Sequence, residues 1–175
     1  MGKPDGVRPS LLIATTVPDT IKAFLLPYAD HFRSSGWRVE AMSSAISARE
    51  DLAAHFDAVH DVDWSRNPLS AGNLIRTPEK IRETVKAGEY DIIHVHTPVA
   101  SFVTRYAMRK VEASARPKMV YTAHGFHFFK GGPRYRNAIF RKLEKLAGRW
   151  TDRLIVINQE DFCAATKYRI TPKEA

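Results

Sequence analysis

Short apolar runs rich in branched residues alternate along the chain with stretches whose apolar positions return at helical spacing. The first run, "RPSLLIATT", reads as a buried strand closed by the turn-forming "VPDT". "IKAFLLPYADHFRSSG" follows at helical spacing with Gly36 as its stop, and Pro27 predicts that the helix kinks or begins there. "WRVEAMSS" is the next strand, "AREDLAAHF" a short helix and "DAVHDVDW" a weaker strand. "SRNPLSAGN" is the clearest loop. "TPEKIRETVKAGEY" then predicts a helix with Thr77 as N-cap, Pro78 at the first helical position and Gly88 near the stop. The second half repeats the alternation: strand "DIIHVHT", helix "PVASFVTRYAMRKVEAS", strand "KMVYTAH", helix "PRYRNAIFRKLEKLAGRW", strand "DRLIVIN", helix "QEDFCAATKYR".

Strands alternating with helices over the whole length imply parallel pairing, right-handed crossovers and helices on both faces of one sheet. At 175 residues a single domain is expected. The fold class is therefore α/β: a doubly wound, Rossmann-like domain with a mostly parallel sheet of about six strands. Ligands of such sheets gather beyond the carboxyl ends of the strands. That rule draws attention to Thr15 and Thr16, Ser43 and Ser44, His96 and Thr97, His124 and Gly125, and Asn158.

Charge narrows the partners. Lys and Arg number 27 against 19 Asp and Glu, a net charge of +8, which favours nucleic acid, phosphorylated ligands or anionic lipid. Much of the excess is local, between Lys130 and Arg153. Cys163 is the one cysteine, so no internal disulfide forms, and the start of the chain carries no secretory signal or myristoylation motif. No run reaches the ~18 apolar residues of a membrane span. A cytoplasmic protein is expected, soluble or peripheral on the inner face of the cell membrane.

The candidate chemistry lies in "YDIIHVHTP" and "VYTAHGFHFF". Alternation along a strand puts His94 and His96 on one face, and His124 or His127 from the neighbouring strand end would complete a metal-binding set. No carboxylate or cysteine lies close in sequence to support it, so no metal is expected. The plainer reading makes His94, in mid-strand, a core histidine bonded to backbone. His96 and His124 end their strands, where an imidazole meets a ligand. Thr97 is a potential N-cap before Pro98, and Gly125 lets the backbone bend beside His124. The first turn, "ATTVPDT", lacks a dinucleotide fingerprint, no P-loop occurs, and neither a GxSxG elbow nor Cys163 offers a nucleophile. "FHFFKGGPRYRNAIFRKLEKLAGRW" interleaves aromatics with cations. It reads as a surface for anionic membrane or a lipid-linked phosphate, as a nucleic-acid surface, or as an amphipathic helix packing Ile139, Phe140, Leu143, Leu146 and Ala147 on the sheet.

"YDIIHVHTPVASFVTR", "VYTAHGFHFFKGGP" and "LEKLAGRWTDRLIVINQEDF", in this order and spacing, resemble the N-terminal domain of glycosyltransferase family 4, in its bacterial capsular and exopolysaccharide branch. The resemblance covers the chain from about Leu11 to Thr166. It implies one half of a GT-B architecture, in which two Rossmann-like domains face each other across a cleft. It also implies sugar transfer from a nucleotide-sugar (UDP- or GDP-linked) with retention of configuration, usually without a divalent metal and with no other cofactor. The acceptor would be a glycan or a lipid-linked sugar, and nucleic acid would play no part. Carried onto this sequence, His124 becomes the catalytic cleft histidine. His96, Thr97, Phe126 and His127 line the acceptor side, and a loop with Thr16, Asp19 and Thr20 approaches the donor diphosphate. Glu144, Asp152, Asn158 and Glu160 match as structural residues, in helix pairing, capping and strand-end bonding.

Two departures stand out. Many relatives carry a glycine pair in the first turn, where this chain has "TTVPDT", and glycines after "HTP", where it has Ala100 and Ser101. Relatives also continue into a nucleotide-binding C-terminal domain, whereas this sequence stops at "KYRITPKEA". The expectation is a half-enzyme, inactive alone: an excised domain, a truncated product, or one subunit completed in cis or in trans.

Overall fold

A computed structural model describes residues 8–65, 69–112 and 114–170. Each apolar run forms a strand: β1 Ser10–Ala14, β2 Arg38–Ser43, β3 Ala58–Asp61, β4 Ile92–His96, β5 Lys118–Ala123 and β6 Arg153–Val156. They make one sheet in the order β3-β2-β1-β4-β5-β6, with every neighbouring pair parallel. The order reverses between β1 and β4, so the crevice of a doubly wound sheet opens beyond the carboxyl ends of these two strands.

All five residues of β1 are buried, as a central strand covered on both faces requires. Leu12 and Ala14 enter a core with Ile93, Val95, Phe102, Met119 and Tyr121. Leu11 and Ile13 enter a second core on the other face with Ile21, Leu25, Val39 and Ala41.

The helices are α1 Pro18–Thr20, α2 Leu26–Ser34, α3 Glu50–Ala53, α4 Thr77–Gly88, α5 Pro98–Met108, α6 Arg134–Gly148 and α7 Gln159–Tyr168. Two of them are entered through widened π-helical turns, Ile21–Leu25 before α2 and Gly72–Arg76 before α4. Each π turn precedes a proline, Pro27 or Pro78, in the first turn of the helix it feeds. A proline there has no N–H to lose, and the wider turn carries the chain past its ring, so Pro27 starts a helix instead of breaking one. The same geometry corrects the expected cap at Thr77. Its backbone is already helical, and its hydroxyl donates to the Asp63 carbonyl at 3.1 Å. Of the expected loop, residues 66–68 lie outside the described residues, and helix begins by Gly72. α4 ends where Glu89 turns left-handed at φ 47°, and Gly88 before it is glycine because a Cβ there would stand 2.3 Å from the Tyr90 ring.

The face of α6 also differs from its apolar pattern. Phe140, Leu143 and Ala147 pack inward, but Ile139 and Leu146 are exposed. Buried Glu144 sets this rotation: it pairs with Arg105 of α5 at 3.0 Å and accepts from the Tyr121 hydroxyl at 3.2 Å. Among the described residues, no helix is long and apolar enough to cross a membrane.

Candidate active site

The crevice between β1 and β4 is closed by two threonines. The Thr16 amide donates to Thr97 Oγ1 at 3.0 Å, and the two hydroxyl oxygens lie 2.7 Å apart. Thr97 Oγ1 donates to the His96 carbonyl, so the proton between the hydroxyls belongs to Thr16. Thr16 Oγ1 in turn accepts from the Ala100 amide at 3.2 Å. The N-terminus of α5 is therefore capped from another strand, by Thr16 and not by Thr97. Thr97 carries φ 63° and ψ 143°, an outlier for a β-branched residue. Its hydroxyl bonds hold it there, which fixes how β4 hands the chain to α5 at the mouth of the crevice.

On the same face, β4 and β5 carry the histidines. His94 Nε2 lies 2.8 Å from Thr122 Oγ1, a side-chain partner where the sequence suggested backbone. The His94 and His96 rings meet at a tilt of 42° with centroids 4.1 Å apart. His96 Nδ1 lies 3.0 Å from His124 Nε2. His96 is 3 % exposed and its Nε2 has no partner among the described residues, whereas His124 opens to solvent just past the end of β5. Burial pushes His96 down to about 2, helped by His94 and His124. Burial also lowers His94, to about 4, with His124 adding to it, and lowers His124. At neutral pH the cluster holds three uncharged imidazoles, suited to hydrogen bonding at the crevice. Among the described residues, no group of three His, Cys, Asp or Glu side chains is placed to hold a metal ion.

Phe126 and His127 fall outside this cluster. The Phe126 ring is buried and stacked on Phe128 at 4.9 Å, because an apolar ring in this turn finds the core. His127 is exposed and meets Phe140 of α6 edge-on at 5.2 Å. Asp19 is exposed beside the first turn and pairs with Arg49 at 3.1 Å. Thr20 is half-buried in α1, its amide donating to the Val17 carbonyl at 3.3 Å. Asn158 caps α7 by accepting from the Asp161 amide at 2.8 Å, and Asp152 holds both Arg116 and the Met119 amide. Glu160 accepts from the Lys130 amide.

Phe24 is the residue that the sequence pattern hides. Helical spacing counts it with the apolar face, yet it is 57 % exposed on the π turn, its ring 5.6 Å from that of His124. The π turn rotates it out of the helical register, and no local signal in the sequence marks that turn beyond the proline after it.

Comparison with known proteins bears on the family and the fold. The family model for Glycosyltransferase Family 4 matches residues 24–174. A Bacillus subtilis protein carrying the name glycosyltransferase EpsD is 34% identical over 155 residues, 89% of this chain and 39% of its own length. An Escherichia coli UDP-Gal:alpha-D-GlcNAc-diphosphoundecaprenol alpha-1,3-galactosyltransferase is 32% identical over 77 residues, 44% of this chain and 19% of its own. The chain thus spans well under half the length of either relative. Among solved structures, sucrose-phosphate synthase from Thermosynechococcus elongatus superposes with a TM-score of 0.62 at 12% identity, over 95% of this chain and 46% of that one. At that identity the likeness speaks for the fold alone.

Proposed function

Because the chain belongs to glycosyltransferase family 4, we propose that it is the acceptor-side half of a retaining GT-B hexosyltransferase in surface polysaccharide synthesis. A second, nucleotide-binding domain would complete the enzyme in cis or in trans, and this half alone would be inactive. The donor is a UDP- or GDP-sugar, no cofactor is needed, and the acceptor is a glycan or a lipid-linked sugar. The observation that carries the reading is His124: a solvent-open imidazole at a strand end, tied at 3.0 Å to a buried His96 and flanked by Phe24. An uncharged imidazole there hydrogen-bonds a sugar hydroxyl without placing a charge beside the reacting centre. Thr97 gives the acceptor side its rigid wall, with His96 buried behind it, and the Thr16–Thr20 turn faces the donor diphosphate with Thr16 already engaged.

His124→Ala in the two-domain transferase is expected to lower turnover by roughly a hundred-fold, the scale of one lost polar group at a reacting centre. The unfolding midpoint should stay unchanged. Near-normal turnover of that variant overturns the assignment.

A place at the cytoplasmic face of the membrane is supported by α6. Tyr135, Ile139, Lys142, Leu146 and Arg149 are all exposed and spaced to form one stripe, opposite the buried Glu144. An exposed stripe of apolar and basic residues suits an anionic lipid surface. Co-sedimentation with phosphatidylglycerol vesicles should fall as salt rises. Binding indifferent to salt removes the basic residues as its cause.

A further inference from the structure

The His96 ring has one hydrogen-bond partner among the described residues, and which of its nitrogens carries the proton decides what His124 offers a ligand. His96 Nδ1 and His124 Nε2 lie 3.0 Å apart, so one of them donates and the other accepts. If His124 Nε2 donates, His96 must carry its own proton on Nε2, a buried N–H without an acceptor. If His96 Nδ1 donates, the buried Nε2 is a bare lone pair. Orphaned N–H groups are among the rarest and costliest features of folded proteins, and an unused lone pair is the milder defect. A doubly protonated His96 is ruled out by its burial, with the centroid of the tilted His94 ring 4.1 Å away and no carboxylate among its contacts within the described residues.

We infer that His96 is a positioning residue: it donates from Nδ1 to His124 Nε2 and thereby holds His124 in the Nδ1–H form, opposite to the form that free histidine prefers in water. The consequence for His124 is specific. Its only basic nitrogen is occupied by His96, so it cannot act as a base toward substrate. Its Nδ1–H, which has no partner within the described residues, is the group presented to a ligand oxygen. His124 is then a hydrogen-bond donor of fixed direction, ready before the ligand arrives. The use of that donor in sugar transfer rests on the function proposed above; the tautomer itself does not.

The test is nitrogen-15 NMR of the histidine-labelled 175-residue chain. Two-bond couplings to the ring protons should show His124 protonated at Nδ1 and bare at Nε2. His96→Leu should switch His124 to the Nε2–H form. His96→Asn, whose side-chain amide nitrogen stands close to the original Nδ1, should restore the Nδ1–H form. A wild-type His124 found in the Nε2–H form overturns the inference, and so does a folded His96→Leu with an unchanged tautomer. If His96→Leu fails to fold, the wild-type spectrum alone still decides. In the two-domain transferase, His96→Leu should lower kcat at least ten-fold with little change in KM, and His96→Asn should recover most of the loss. If the NMR results hold while kcat stays level, the role of His124 in transfer is overturned and the tautomer stands.

Discussion

Two polar clusters hang from adjacent residues of β5, and they differ in how fully they are paired. Tyr121 points to one face and Thr122 to the other, as strand alternation requires. Behind Tyr121, the fully buried Arg105 donates to Glu144, Thr151 Oγ1 and the Ser101 carbonyl, and its guanidinium stacks 4.2 Å over the Tyr121 ring. Every arm of that guanidinium is used, and α5 and α6 are pinned together. Around Thr122 the polar groups form a chain, from His94 to His96 to His124, which leaves a bare nitrogen in the middle and an open ring at the end. A closed network rigidifies a fold; an open one leaves a bond to be made by something else. The sheet face agrees, since Ile155 on neighbouring β6 stays 45% exposed there.

The largest effect should come from the closed side. Glu144→Ala strands the buried Arg105 charge, and breaking such a pair costs about 3–5 kcal/mol. Urea unfolding should show it. A loss below about 1 kcal/mol would place water around Arg105 and erase the contrast between the clusters.

Acid should act on the open side. His94 titrates near 4 in the fold against an ordinary 6.5, because its charged form is poorly solvated. The unfolded chain therefore takes up the proton first. The His94 contribution to stability is level above pH 6.5 and falls as pH drops toward 4, by about 3 kcal/mol for a shift of this size. Urea midpoints at pH 7 and pH 4.5, compared between the wild type and His94→Gln, test it. The variant should lose distinctly less on acidification, and equal losses would show that His94 is not buried as described.

The strands and the strand-end histidines are legible in the sequence, because a buried parallel strand leaves a run of branched residues that nothing else explains. HxH places His94 and His96 on one face by alternation alone. What stays hidden is whatever depends on a partner distant in sequence. Glu144 sits in a basic helix, and although the resemblance marks it as a structural residue, its partner Arg105, 39 residues earlier, carries no mark of the pairing. Ile139 and Leu146 are misplaced for the same reason, since the buried carboxylate turns their side of α6 outward. Thr16 caps a helix 84 residues away from it in sequence, which no local capping pattern predicts.

That cross-strand cap is the third way to separate the regions. Thr16→Val keeps the shape but leaves the Ala100 amide without its acceptor, a loss of about 1 kcal/mol. It also removes a hydrogen bond that holds Thr97 at positive φ, so hydrogen exchange should quicken at the start of α5 while the Arg105 network stays protected. Uniform quickening across both would mean that the two clusters unfold as one unit.

The smallest effect on stability belongs to Phe24, and it divides the two regions most cleanly. Tyr121 is 1% exposed, so truncating it empties the core and costs about 3–5 kcal/mol, as for other large buried aromatics. Phe24 is 57% exposed, and Phe24→Ala should move stability by no more than about 0.5 kcal/mol. An exposed aromatic ring 5.6 Å from His124 is poorly explained by folding, because it buries little and its neighbour is itself open to solvent. If it serves as one wall of the ligand site, Phe24→Ala in the two-domain transferase should raise KM several-fold, matching the ~1 kcal/mol of a stacked contact. Unfolding should be unchanged and kcat nearly so. A variant that unfolds early with an unaltered KM would return Phe24 to the core that its helical spacing suggests.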